Sequence, residues 1–168
     1  WISHIPVPVE INASAHADDD FSNNKSIAEL TDWNIYSPVW APVSLEGQWL
    51  KLQDKDPFDY AKVERKIPAS KELKVSFDLK AGQNDKGTLQ IEFLDENGIA
   101  CSRMELTDDG IFRMKGGSRF ANMMKYEAGK VYHVEAVLST ADRNIQVYVD
   151  GKRVGLRMFY TPVAAVER

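Results

Sequence analysis

An all-β chain folded as a two-sheet antiparallel β-sandwich of the jelly-roll kind is what three features of this sequence predict. From Val131 to Leu138, Tyr132, Val134, Ala136 and Leu138 fill one face, while His133 and Glu135 share the other with Val131 and Val137. That alternation is the period-two pattern of a half-buried strand. Ile145, Val147 and Val149 repeat it, and Asp150-Gly151 follows, a pair suited to the positive φ angles of a two-residue hairpin turn. Glycine-bearing turns also recur at Asn84 to Gly87, Asn97-Gly98, Asp109-Gly110 and Gly116-Gly117, and no helix-period stretch is long enough to cross between parallel strands. Many short strands at this rhythm make a sandwich or jelly roll.

Taken in order, Trp1 to Val9 reads as an isolated apolar strand in which Pro6 and Pro8 force an edge or tail position. Residues 10–30 have the polar composition of a linker, with one helical turn near Ser26 to Leu30, Ser26 as cap and Glu29 three residues on. Trp33, Tyr36, Trp40 and Trp49 then crowd together. Tryptophan is costly to leave in water, and Pro38 and Pro42 hold the backbone extended, so this segment is expected to lie as a buried strap over the sandwich. Nine strands follow: Trp49 to Gln53, Ala61 to Ile67, Leu73 to Ala81, Thr88 to Leu94, Ala100 to Leu106, Gly110 to Met114, Val131 to Leu138, Ile145 to Val149 and Arg153 to Phe159. The expected organisation is therefore 1–30 as an upstream strand plus linker, and 31–168 as the sandwich with its aromatic strap.

Composition bounds the function. With 168 residues, 43% of them hydrophobic, the chain can bury a core as one domain. A net charge of −4, with basic residues scattered among acidic ones and Asp18-Asp19-Asp20 the only like-charge run, points to no nucleic acid. No apolar stretch approaches the roughly 20 residues that span a bilayer. Cys101 is alone, which precludes an internal disulfide and leaves the compartment open. The chain starts at Trp1 without a signal peptide and reads as a piece of a longer protein.

The passage from Val131 to Gly155 resembles the closing hairpins of the concanavalin A-like lectin/glucanase superfamily, in its laminin-G-like branch. Tyr132-His133-Val134 and Tyr148-Val149-Asp150-Gly151-Lys152 carry the likeness, supported by the strand–turn–strand from Thr88 to Leu106. It covers about Trp49 to Phe159 and is specific for fold rather than function, since that superfamily holds lectins, hydrolases, lyases and spacers. The phrase Trp1 to Val9 is similar to the last propeller strand of sialidase-like (BNR-repeat) enzymes from polysaccharide-degrading bacteria. That resemblance implies the C-terminal part of such an enzyme, secreted, periplasmic or on the cell surface.

Glucanases of this fold carry Glu-x-Asp-x-x-Glu, which sets carboxylates on one concave face. Here Glu92 faces away from Asp95, and Asp95-Glu96 begin a turn. Alginate-lyase-like jelly rolls use Arg-x-Glu, Gln-x-His and a tyrosine strand. Arg103-Met104-Glu105 and Gln90-Ile91-Glu92 match only in part, with Glu92 where the histidine belongs. No catalytic residue is assigned. A polar face nevertheless emerges: Gln90, Glu92, Arg103, Glu105, His133, Glu135, Gln146 and Tyr148 all point away from the core by alternation, and on one sheet they would suit a sugar's hydroxyls and apolar ring face. His133 reads as a hydrogen-bonding residue rather than a base.

Asp54, Asp56 and Asp59 are the candidate ligands for a structural Ca²⁺, being the right hard donors at short spacing. They lack the glycine and terminal glutamate of an EF-hand loop, so solvated loop carboxylates compete with that reading. No other cofactor is indicated, and one Cys with three scattered His gives no zinc site. The expectation is a non-catalytic accessory module of a glycoside hydrolase or polysaccharide lyase. It would be a monomer whose partner is a glycan or the upstream catalytic domain of the same chain. The competing expectation makes the jelly roll itself the hydrolase or lyase, with its site on the polar face.

Overall fold

The computed structural model describes residues 17–168, which divide after Ile67 into two compact units. The edge strand expected at Trp1 to Val9 lies outside the described residues.

Among the described residues of the first unit, four short strands form two antiparallel pairs. Strand β1 (Trp33–Tyr36) pairs with β4 (Lys62–Arg65), and β2 (Val43–Glu46) pairs with β3 (Trp49–Leu52) across a turn whose Gly47 takes φ +62°. Two of these strands, β1 and β2, fall where a continuous strap was expected. The reason is local: the Ala41 N–H donates to the Pro38 carbonyl at 3.1 Å, so the proline segment is a turn with strand on either side. A 3₁₀ turn at Ile27–Glu29 replaces the expected cap geometry. The Ser26 hydroxyl makes no cap bond, and Glu29 instead accepts from the Lys25 N–H at 2.9 Å. Arg65 binds Asp19 at 2.9 Å and Asp32 at 3.2 Å.

The second unit is a sandwich of two four-stranded antiparallel sheets. One has the order β12 (Lys152–Met158), β11 (Asn144–Val149), β10 (Val131–Ser139), β5 (Glu72–Lys80). The other runs β6 (Leu89–Leu94), β7 (Ala100–Leu106), β8 (Ile111–Gly116), β9 (Arg119–Lys125). Every neighbouring pair is antiparallel. The jelly-roll-type fold follows from the sequence as predicted.

The register explains the core. Val134 lies opposite both Phe77 and Val149, and Leu138 opposite both Leu73 and Ile145, so one face of the first sheet is continuously apolar. From the second sheet, Met104 and Met114 face each other and are fully buried. Burying each such side chain contributes about 1.5–3 kcal/mol. The hairpin at Asp150-Gly151 has φ +49° and +77°, the left-handed pair its sequence demands. Strand β9 had no counterpart among the predicted strands. A bulge between Phe112 and Arg113 breaks its register, and Met123 and Met124 both pack against the core, so the period-two signal is lost there. Residues near the C-terminus return across the sheets: Val166 and Ser70 exchange hydrogen bonds of 2.9 and 2.8 Å.

Candidate functional site

The eight polar residues expected on one face belong to two different sheets. Gln90, Glu92, Arg103 and Glu105 stand on β6 and β7, where register sets Gln90 opposite Glu105 and Glu92 opposite Arg103. His133, Glu135, Gln146 and Tyr148 stand on β10 and β11 of the other sheet. Alternation fixes a face of a strand and not the sheet to which the strand belongs. The single eight-residue sugar face is therefore replaced by two smaller clusters.

The β6–β7 cluster is internally paired. Arg103 binds Glu92 through Nε at 2.7 Å and Nη2 at 2.6 Å. Glu105, only 3% exposed, accepts from Arg113 Nε at 2.9 Å and Nη2 at 2.7 Å, and from Gln90 Nε2 at 3.3 Å. Arg113 also lies over the Phe120 ring at 4.4 Å, and Lys115 lies over Tyr160 at the same distance. Two carboxylates each held by a guanidinium make an arrangement for locking strands, not for carrying a proton to a glycosidic oxygen. Sequence reasoning missed Arg113 and Lys115, although their alternation with buried Phe112 and Met114 in β8 was a legible signal. Tyr160 sits beyond the last strand, where no periodicity marks it.

On the opposite sheet the contacts are exposed and pairwise. His133 Nδ1 lies 2.8 Å from Asp78 Oδ1, Lys74 binds Glu135 at 2.7 Å, and the Tyr148 hydroxyl donates to Gln146 Oε1 at 3.1 Å. Each of these groups serves a neighbour on an adjoining strand or its own strand.

The loop carboxylates likewise serve their own loop. Asp54 Oδ1 accepts from the Asp56 N–H at 2.9 Å, Asp56 Oδ1 from the Phe58 N–H at 2.9 Å, and Asp59 Oδ1 from the Tyr60 N–H at 2.8 Å. These are the turn-forming bonds aspartates make with nearby backbone. Among the described residues no group of three or more His, Cys, Asp or Glu is placed to hold a metal ion.

What these bonds build is a loop that displays aromatic rings. Asp59 Oδ2 accepts from the Tyr36 hydroxyl at 3.2 Å, a bond that pushes the Tyr36 phenol above its ordinary pKa by stabilising the protonated donor. The Tyr36 and Tyr60 rings meet at 5.6 Å between centroids. The Lys55 N–H donates to the Trp40 carbonyl at 2.9 Å, which brings the β3–β4 loop beside the β1–β2 turn. Tyr36 and Tyr60 thus meet, and Trp40 and Phe58 stand on the two segments this bond brings side by side, the four exposed by 48%, 58%, 67% and 96% in that order. The burial expected for the aromatic segment holds only in part: Trp33 packs on Phe21 at 5.7 Å, whereas Trp40 and Tyr36 face solvent. Phe58 and Tyr60 were missed because the aspartates around them drew the reading toward a metal.

The second unit, a two-sheet sandwich whose polar clusters are internally paired, has the build of an accessory module rather than a catalytic domain. The chain belongs to the family described as "Sialidase-like, CBM domain", a carbohydrate-binding-module family whose model matches residues 33–168. It is also similar to a solved structure titled "Sialidase", with 90% sequence identity and a TM-score of 0.93 over 97% of this chain. The chain spans 15% of that protein's length, a small, non-catalytic portion of it. No curated protein matches it.

Proposed function

We propose that this chain is the non-catalytic glycan-binding module of a longer, secreted or surface-exposed glycoside hydrolase of the sialidase type. It engages saccharide through the aromatic end of its first unit. The observation that carries the reading is the exposure of Tyr36 at the end of β1 and of Trp40, Phe58 and Tyr60 on two adjoining loops. A soluble domain rarely leaves four large rings together in water, and such a patch marks an interaction site. Rings edged by hydroxyls and carboxylates suit sugars, whose C–H faces stack on aromatics while their hydroxyls take hydrogen bonds. Membership of a carbohydrate-binding family favours the same ligand class. The parent's hydrolytic activity would reside elsewhere in its chain, with this module holding the enzyme near its substrate.

The test is native gel electrophoresis of the chain through neutral and acidic polysaccharides, with a reducing-end assay alongside. Retardation without release of reducing ends is expected, and Trp40→Ala should weaken binding about 10-fold, the equivalent of ~1.4 kcal/mol. Release of reducing ends by the chain alone would overturn the reading. So would unchanged retardation of Trp40→Ala and Phe58→Ala.

A further inference from the structure

The cations that look scattered in the sequence are gathered by the fold. Residues 110–126 contain Arg113, Lys115, Arg119 and Lys125, and residues 151–166 contain Lys152, Arg153 and Arg157, with no Asp or Glu in either segment. The rest of this chain of net charge −4 is correspondingly acidic. The two segments supply β8 and β9 at one margin of the second sheet and β12 at the margin of the first, and β12 packs against both β8 and β9. Seven positive residues therefore stand on three neighbouring strands, and two of them, Arg153 and Arg157, line one groove. Only Arg113 among the seven has a carboxylate partner among the described residues, namely Glu105. Lys115 rests on a ring, and Arg157 Nη1 donates to the Leu156 carbonyl at 2.8 Å.

Along this seam lies a groove of about 360 Å³, lined by Arg153 and Arg157, the Asn122 amide, and an apolar floor of Met114, Met123 and Gly155. Glycine leaves room for the floor. A Cβ on Gly155 would lie 2.7 Å from Met123 Sδ and 2.9 Å from Met114 Cε. A Cβ on Gly116 would lie 2.8 Å from Arg157 Cδ, so the missing side chain there gives the arginine stem its place over β8.

We propose that this seam is a binding site for a carboxylate-bearing saccharide. Guanidinium groups without carboxylate partners supply the fork that a carboxylate accepts from bidentately. The Asn122 amide has donors and an acceptor for hydroxyls. The methionine floor offers polarizable apolar surface to the C–H face of a sugar ring. The proposal rests on the glycan-binding reading but uses residues distant in sequence from the aromatic end, and the two are separable by experiment. Edge-strand cations also discourage pairing between sheet edges, which makes a contrasting prediction: their loss would then change aggregation and leave binding alone.

The probes are oligogalacturonate with its methyl ester, and a sialylated trisaccharide with its desialylated counterpart. Each pair differs chiefly by one kind of carboxylate. Titration calorimetry of the wild-type chain should favour at least one acidic probe over its uncharged partner by about 10-fold. That preference should shrink as salt is raised, and Arg153→Gln with Arg157→Gln should abolish it while leaving the uncharged probe's affinity unchanged. Trp40→Ala should lower affinity for both members of a pair and preserve their ratio, so failure of the aromatic site and failure of the seam read out differently. Equal affinity for acidic and uncharged members in both pairs would overturn the proposal. So would an acid preference that survives in the double variant, or binding of single-stranded DNA as tight as that of the acidic saccharides.

Discussion

Glu105 and Cys101 show what a single side chain does in this sandwich. Glu105 is buried on the side of β7 that faces away from the core, and what makes its burial tolerable is Arg113, with Gln90 assisting. Arg113→Ala leaves that carboxylate without its main partner, and chemical denaturation should show a loss of about 3 kcal/mol. Adding Glu105→Gln should recover part of the loss, because the remaining amide is uncharged. Cys101 is fully buried, and burial pushes its thiol from 9.0 up to about 12. Its proton is held more tightly in the folded than in the unfolded chain. Its contribution is therefore intact below about pH 9 and is lost as pH rises towards 12. Cys101→Ala should unfold with a shallower decline in stability over that window than wild type, and native wild-type protein should resist iodoacetamide at neutral pH.

Among the elements, the β11–β12 hairpin was the most legible and β9 the least. Val147 and Val149 alternate with polar neighbours, and Asp150-Gly151 names its own turn. Gly151 at φ +77° should therefore resist substitution, with Gly151→Ala costing about 1–2 kcal/mol in thermal unfolding. Gly155 is a different case, since its φ is ordinary and the constraint is space: Gly155→Ala drives a methyl into Met123 and Met114. Flexible thioethers can yield, so an overpacking cost of about 1–3 kcal/mol is expected. No local pattern announced that position, because the crowding comes from another strand. The same limit explains the aromatic segment. Hydrophobicity predicted burial for Trp40, but the turn closed by Pro38 and Ala41 carries it outward.

At the scale of the whole chain, alternation and turn chemistry carried the all-β architecture, since both are written in neighbouring residues. Site assembly was not written that way. Whether Glu105 and His133 share a face depends on sheet order, which separates them, and the clustering of cations depends on two strand margins meeting. Tyr36 ends β1, while Trp40, Phe58 and Tyr60 lie in loops, the last two among aspartate turns that read as metal ligands in isolation. Saccharide held at these rings has a definite signature in ¹H–¹⁵N spectra of the labelled chain titrated with the neutral saccharide that retards it most. The Trp40 indole N–H and the amides of residues 36–40 and 54–60 should shift together and saturate with one affinity. Shifts confined to the strands carrying Gln90, Glu105, His133 and Tyr148, with the Trp40 indole unmoved, would contradict it.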